Sequence, residues 1–125
     1  MNDRYDVVIA GGGPSGATAA MLLARSHLSV ALFDRARFPR IKPCAGAISA
    51  RAAGVIAELH GDGALPRLAR SRCQGCRMFD GPSLLAEANG SERLAFVGRG
   101  EFDLFLLDAA RAAGCSIFEQ HKVIH

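Results

Sequence analysis

Residues 5–34, YDVVIAGGGPSGATAAMLLARSHLSVALFD, decide the fold. Tyr5 to Ala10 is an apolar run of strand length. Gly11-Gly12-Gly13-Pro14-Ser15-Gly16 matches the G-x-G-x-x-G template and opens a helix-forming stretch. A second apolar run, Ser29 to Phe33, closes on Asp34, about 20 residues beyond the glycines, which is the spacing of a dinucleotide-binding βαβ unit.

Each position in that stretch has a physical task. Gly11 allows a tight turn off the strand. Gly13 has no Cβ, so a pyrophosphate can approach the backbone. Gly16 lets the helix sit close to the sheet. Pro14 suits the first helical turn, where its missing N–H would have had no partner. Ser15 and its neighbours leave free N–H groups, which face the pyrophosphate together with the positive end of the helix dipole. Asp34 can accept hydrogen bonds from adenosine ribose hydroxyls and would repel a 2′-phosphate, which argues against NADP. The motif alone does not separate FAD from NAD.

Composition bounds the remaining choices. A chain of 125 residues, half of them hydrophobic, is long enough for one domain with a real core and too apolar to be disordered. Fifteen basic against twelve acidic side chains leave a formal charge of +3, too mild for a nucleic-acid binder. No run is long and apolar enough to span a bilayer, and the chain enters its first strand directly, without a signal peptide. A cytoplasmic location is the expectation, with Cys44, Cys73, Cys76 and Cys115 reduced.

The pattern predicts a helix over 14–26 and, beyond Asp34, an irregular basic loop over 35–48 with two prolines. Ser49 can cap a helix running to about Leu59, because Ala52, Val55, Ile56 and Leu59 follow i, i+3, i+4, i+7 spacing. Residues 64–70 read equally as a helical turn or a loop. Short strands are expected at about Cys73–Phe79, Leu84–Ala88 and Leu94–Val97, with Gly81-Pro82 and Asn89-Gly90 as turns. A stripe of Phe102, Phe105, Leu106, Ala109, Ala110 and Ala113 predicts a helix that Gly114 ends, followed by a strand over 115–118. Right-handed crossovers then give three parallel strands in the order 3-2-1. With only half of a doubly wound sheet and an open finish at Lys122-Val123-Ile124-His125, the chain reads as the front portion of a larger design.

Three blocks resemble the geranylgeranyl reductase family of flavoproteins, within the aromatic-hydroxylase-like FAD fold. The first is the dinucleotide fingerprint. The second, Arg37-Phe38-Pro39-Arg40-Ile41-Lys42-Pro43-Cys44-Ala45-Gly46-Ala47-Ile48-Ser49, is similar to the family's R-F-P-R-x-K-x-C-G-G-G-L-S. The third is Arg99-Gly100-Glu101-Phe102-Asp103, similar to R-x-x-F-D. The resemblance spans nearly all of this chain and about the first third of a family member. A departure is Ala45-Gly46-Ala47, which puts methyl groups where the family has a bare glycine run.

The resemblance implies an α/β fold: a truncated Rossmann-like FAD-binding domain over 1–125, with 72–98 beginning an antiparallel excursion into a substrate domain. It implies FAD as cofactor. The cofactor-binding set is Gly11, Gly13, Pro14, Ser15, Gly16, Asp34, Arg35, Cys44, Ala45, Gly46, Ile48, Arg99 and Val123. Val123 is carried over by position only, for the adenine edge. Cys44 is the one candidate for a thiol close to flavin and substrate, and an inert buried thiol fits its sequence equally well. Arg99 could reach a phosphate or the ribityl chain, or pair with Glu101 or Asp103. Arg37, Arg40 and Lys42, taken singly, read as solvated cations. Cys73-x-x-Cys76 has no second pair and no histidine at finger spacing, so no metal site is expected, and the histidines at 27, 60, 121 and 125 read as surface residues.

The activity implied is reduction of isoprenoid double bonds on a prenyl lipid or prenyl diphosphate, with NAD(P)H or ferredoxin as electron donor and peripheral contact with a membrane. A flavin monooxygenase or halogenase is the alternative enzyme. A catalytically silent FAD-binding fragment is the alternative outside enzymes. A plain NAD-binding domain leaves the 37–49 block unexplained.

Overall fold

The computed structural model describes residues 4–124, the side chains of 91–93 excepted. The chain divides into two compact units, Met1–Lys42 with Arg99–His125, and Pro43–Gly98.

The first unit is the parallel α/β core. It contains β1 (Val7–Ala10), α1 (Pro14–Arg25), β2 (Val30–Phe33), α4 (Arg99–Ala112) and β6 (Ser116–Phe118). The strands run parallel in the order β1-β2-β6, with Val7 opposite Val30 and Ala31 opposite Ser116. This is the expected 3-2-1 order. The β2 strand is central, and its Val30, Ala31 and Leu32 are all buried. Helix α1 buries Ala17, Ala20 and Met21 and packs against α4, which buries Phe102, Leu106, Leu107 and Ala110. The small alanines let α1 lie close to the strands, while the bulk comes from α4. Ser29 and Asp6 tie the starts of β1 and β2: the Asp6 carboxylate accepts from the Ser29 N–H at 2.7 Å and its hydroxyl at 2.9 Å.

The second unit contains β3 (Ala47–Ile48), α2 (Ala50–His60), α3 (Ala64–Leu68), β4 (Ala69–Asp80) and β5 (Ser83–Val97), with an antiparallel sheet ordered β3-β5-β4. Ser49 caps α2 as expected, its hydroxyl accepting from the Ala52 N–H at 3.2 Å. The ambiguous 64–70 segment resolves into the short helix α3 followed by the start of β4.

Two expectations fail here. The 35–48 loop is not wholly irregular, because Ala47 and Ile48 pair with Phe96 and Ala95 of β5. A two-residue strand leaves too little periodicity to read. Asn89-Gly90 is not a turn. The β4–β5 hairpin closes at Gly81-Pro82, between the paired Asp80 and Ser83, with Gly81 at φ +52°. Asn89 lies inside β5 opposite Gly75, beside a register shift after which Leu94 faces Cys73. A Cβ on Gly75 would fall 2.5 Å from the Ala88 carbonyl oxygen, so this glycine permits the close strand approach at the irregularity. The pair thus marks a bulged ribbon rather than its end.

Candidate cofactor site

The glycine loop leaves the C-terminal end of β1 and runs into α1. Gly11 sits at φ +106°, which a side chain would disfavour, and its N–H donates to the Phe33 carbonyl at 2.8 Å. Gly13 is the N-cap of α1 in extended backbone, at φ −73° and ψ −179°. No side chain caps the helix, its first turn carries no acid, and Pro14 occupies the first position. The N–H groups of Ser15 and Gly16 therefore keep the positive end of the helix dipole unmasked. That arrangement suits an anion at the backbone.

The protein's own packing accounts for three of the four glycines. A Cβ on Gly16 would lie 1.9 Å from the Gly11 carbonyl oxygen, a collision of backbone with side chain. One on Gly12 would press on Phe38 at 3.1 Å and on Leu32 and Leu107 at 3.3 Å. Gly11 is required by its φ. Gly13 is different. Its conformation is open to any residue, and the nearest atom to a Cβ there would be Arg40 Nη2 at an ordinary 3.7 Å. Nothing in the fold demands a glycine at 13, so the empty space is a cradle that a ligand can use.

Asp34 follows β2 directly, beside this cradle, and is 8% exposed. Its Oδ2 accepts from the Gly12 N–H and its Oδ1 from the Ala36 N–H, both at 2.7 Å. The carboxylate thus staples the glycine loop to the strand, a task the sequence did not reveal. Each oxygen retains lone-pair capacity for a ribose hydroxyl. Around it the chain is fixed by the end of β6. The Asp34 N–H donates to the Phe118 carbonyl at 3.0 Å, and its own carbonyl accepts from the His121 N–H at 2.9 Å. Phe33 and Phe118 stack at 4.7 Å between centroids, with the His121 ring edge-on to both. Arg35 and Val123 are exposed nearby in sequence, Val123 at 54%. His125 lies outside the described residues.

One charged cluster was not legible. Asp103 is fully buried on the core face of α4. Arg99 donates to it twice, Nε to Oδ1 at 2.8 Å and Nη2 to Oδ2 at 3.0 Å. Arg40 Nη2 makes an ion pair with Oδ2 at 3.1 Å. Of the two readings of Arg99, the structure shows the pairing with Asp103. The reading of Arg40 as a solvated cation is corrected: its side chain is 15% exposed and its guanidinium lies over the Phe38 ring at 4.9 Å. The available signal was an acid among the apolar positions 102, 106, 107 and 110. Such an acid has to bring a cation into the core. Arg37 and Lys42 are exposed, as expected.

Cys44, Ala45, Gly46 and Ile48 belong to the second unit. Cys44 and Ala45 are exposed, which excludes the buried-thiol reading of Cys44. The Gly46 N–H donates to Cys44 Sγ at 3.4 Å. Gly46 has φ +72°, and a Cβ on it would fall 2.1 Å from the Val97 carbonyl oxygen. A glycine is needed at 46 for the approach of β5, whatever else comes near. Ile48 is half-buried in β3. None of the four thiols is in a disulfide, and burial pushes the Cys115 thiol up from its ordinary value. Among the described residues no three His, Cys, Asp or Glu side chains gather as metal ligands, and no helix is long and apolar enough to cross a membrane.

Comparison with known proteins places this geometry. The FAD binding domain family matches residues 4–125. A menaquinone reductase of Mycolicibacterium smegmatis is 34% identical over 135 residues, covering 99% of this chain and 31% of that protein. A geranylgeranyl diphosphate reductase of Rhodobacter capsulatus is 58% identical over 48 residues, covering 38% of this chain and 12% of that protein. Among solved structures, the FAD-dependent myxobacterial chondrochloren halogenase superposes with a TM-score of 0.81 at 25% identity, covering 96% of this chain and 29% of that one. The chain spans less than a third of the length of these relatives.

Proposed function

We propose that this chain, which belongs to the FAD binding domain family, grips the ADP half of FAD for an oxidoreductase of the geranylgeranyl reductase type. FAD is the cofactor of the family, and the residues present fit it. The observation that carries the reading is the cradle at Gly13, a glycine the fold does not need, set at an uncapped helix N-terminus. The N–H groups of Ser15 and Gly16 would hold the pyrophosphate, and Asp34 would accept from the adenosine ribose hydroxyls. Arg35, Arg99 and the backbone near Val123 complete the set on the family resemblance, as do Cys44, Ala45, Gly46 and Ile48 in the second unit.

Bound in its reduced form, the flavin would supply the hydride for a carbon–carbon double bond, with the proton coming from another donor. The residues of this chain bind and orient the cofactor. The reductase branch is favoured by the block Arg37–Ser49 and by the high local identity to a geranylgeranyl diphosphate reductase. A prenyl lipid or prenyl diphosphate is then the substrate, NAD(P)H or ferredoxin the electron source, and a membrane surface the place where a lipid substrate is met. A second reading, a flavin-dependent halogenase, is favoured by the structural likeness along 96% of the chain.

The test is incubation of the protein with dithionite-reduced FAD and geranylgeranyl diphosphate without oxygen, followed by mass analysis. Product carrying two extra hydrogens per reduced bond supports the reductase. Halogenated product formed from an aromatic acceptor only with air and halide supports the halogenase. Bound FAD with neither product overturns both and leaves a binding module.

A further inference from the structure

The fold packs an arginine against the phosphate cradle and fixes it there. Arg40 Nη2 lies 3.7 Å from where a Cβ on Gly13 would stand, so this amino group borders the space left open at that glycine. Two contacts set its position, and a third bond holds one of those partners. Asp103 Oδ2 pairs with the same nitrogen at 3.1 Å. The Phe38 ring lies beneath the guanidinium at 4.9 Å. The Phe38 N–H is in turn held by Glu119 Oε2 at 2.9 Å. The backbone beside it is confined as well, since a Cβ on Gly100 would come within 3.2 Å of the Arg40 carbonyl oxygen.

Asp103 makes its two hydrogen bonds with Arg99, and its contact with Arg40 is an ion pair. Asp103 engages Nη2 alone, so the N–H groups on the other edge of the Arg40 guanidinium remain for an acceptor. A planar, permanently charged fork, mostly removed from water and pre-set beside an anion cradle, is suited to a phosphate oxygen. Its rotamer freedom has already been lost on folding.

We propose that Arg40 is a pyrophosphate-binding residue and that Asp103 is its positioning residue, acting from the buried face of α4. The assignment rests on the reading of this chain as an FAD binder and deepens it. It makes the R-x-x-F-D block serve the phosphates through its aspartate, with Arg99 keeping that aspartate paired.

The experiment is calorimetric titration of the whole chain with FAD, ADP and adenosine, on wild type, Arg40→Gln, Arg40→Lys and Asp103→Asn. Arg40→Gln should weaken FAD and ADP about 10- to 100-fold, the effect of one hydrogen bond to a charged group, and leave adenosine unchanged. Arg40→Lys should recover part of the loss, because charge returns without the fork. Asp103→Asn should weaken FAD and ADP without touching adenosine, and combined with Arg40→Gln it should add little, as expected for residues acting as a unit. If Asp103→Asn does not fold, the two Arg40 variants decide the matter, since Arg99 keeps Asp103 paired in both. Equal FAD affinity in Arg40→Gln and wild type overturns the assignment. A uniform loss for FAD, ADP and adenosine also overturns it, by making Arg40 a structural residue. Wild type that binds no FAD fails at the underlying reading instead, which separates the two failures.

Discussion

Gly13→Val is the perturbation that separates the needs of a ligand from those of the fold. In the unliganded protein the new side chain meets little. The backbone is extended at φ −73° and ψ −179°, and the nearest heavy atom to its Cβ is 3.7 Å away. The change in folding stability should stay within about 0.5 kcal/mol, as for substitutions that break no contact. The branched side chain fills the cradle above the N–H groups of Ser15 and Gly16. If about two charge-assisted hydrogen bonds to the pyrophosphate are lost, at about 1.5–3 kcal/mol each, binding weakens by about 3–6 kcal/mol. That corresponds to roughly 100- to 20,000-fold in Kd. The assay pairs thermal unfolding of the unliganded protein with titration by FAD. Gly16→Ala is the control, since its methyl would collide with the Gly11 carbonyl at 1.9 Å and should cost about 1–3 kcal/mol of stability. Undiminished FAD affinity in a folded Gly13→Val protein would refute the reasoning. So would a loss of stability as large as that of Gly16→Ala.

Three further outcomes follow from particular contacts. Asp34→Ala should weaken FAD by about 1.5–3 kcal/mol and also lower the stability of the unliganded protein by about 1–3 kcal/mol, because two backbone N–H groups lose their acceptor; calorimetry and chemical unfolding measure the two effects, and unchanged stability would show that the staple is idle. Hydrogen bonds from the Ser29 N–H and then its hydroxyl hold the Asp6 carboxyl below its ordinary value, so its stabilisation is present above about pH 4 and is lost as pH falls through the lowered folded value; unfolding titrations should show this acid-side loss reduced in Asp6→Asn, and an identical profile would refute it. Thiol alkylation followed by peptide mapping should modify Cys44 and Cys76 first, Cys73 later and Cys115 only on unfolding; early modification of Cys115 would contradict its burial.

The parallel core was legible because each of its signals is local. The glycine spacing, the alanine-rich helix and the apolar run before Asp34 name their own roles within 30 residues. The order of β6 beside β2 followed from the crossover rule, and Ser49 marked the start of α2 through its side-chain oxygen. What escaped depends on partners distant in sequence. Asn89-Gly90 carries strong turn chemistry, yet Gly81-Pro82 had already closed the ribbon, and the tertiary pairing of Asn89 with Gly75 overrode it. Ala47 and Ile48 form a strand only because β5 passes beside them. Asp34 was assigned to a ligand from its position, while its bonds to Gly12 and Ala36 show that it also builds the loop. The pairing of Asp103 with Arg40 joins residues 63 positions apart. An acid at a core-facing helix position announces that a partner exists and cannot name it.

The central claim is that this chain recognises the ADP half of FAD through its own glycine loop and Asp34. The most direct measurement is titration of the protein with FAD and with FMN, which lacks the adenosine and the second phosphate, using ADP as competitor. The account predicts that FAD binds, that ADP displaces it, and that FMN binds far more weakly. FMN binding as tightly as FAD, with no displacement by ADP, would contradict it.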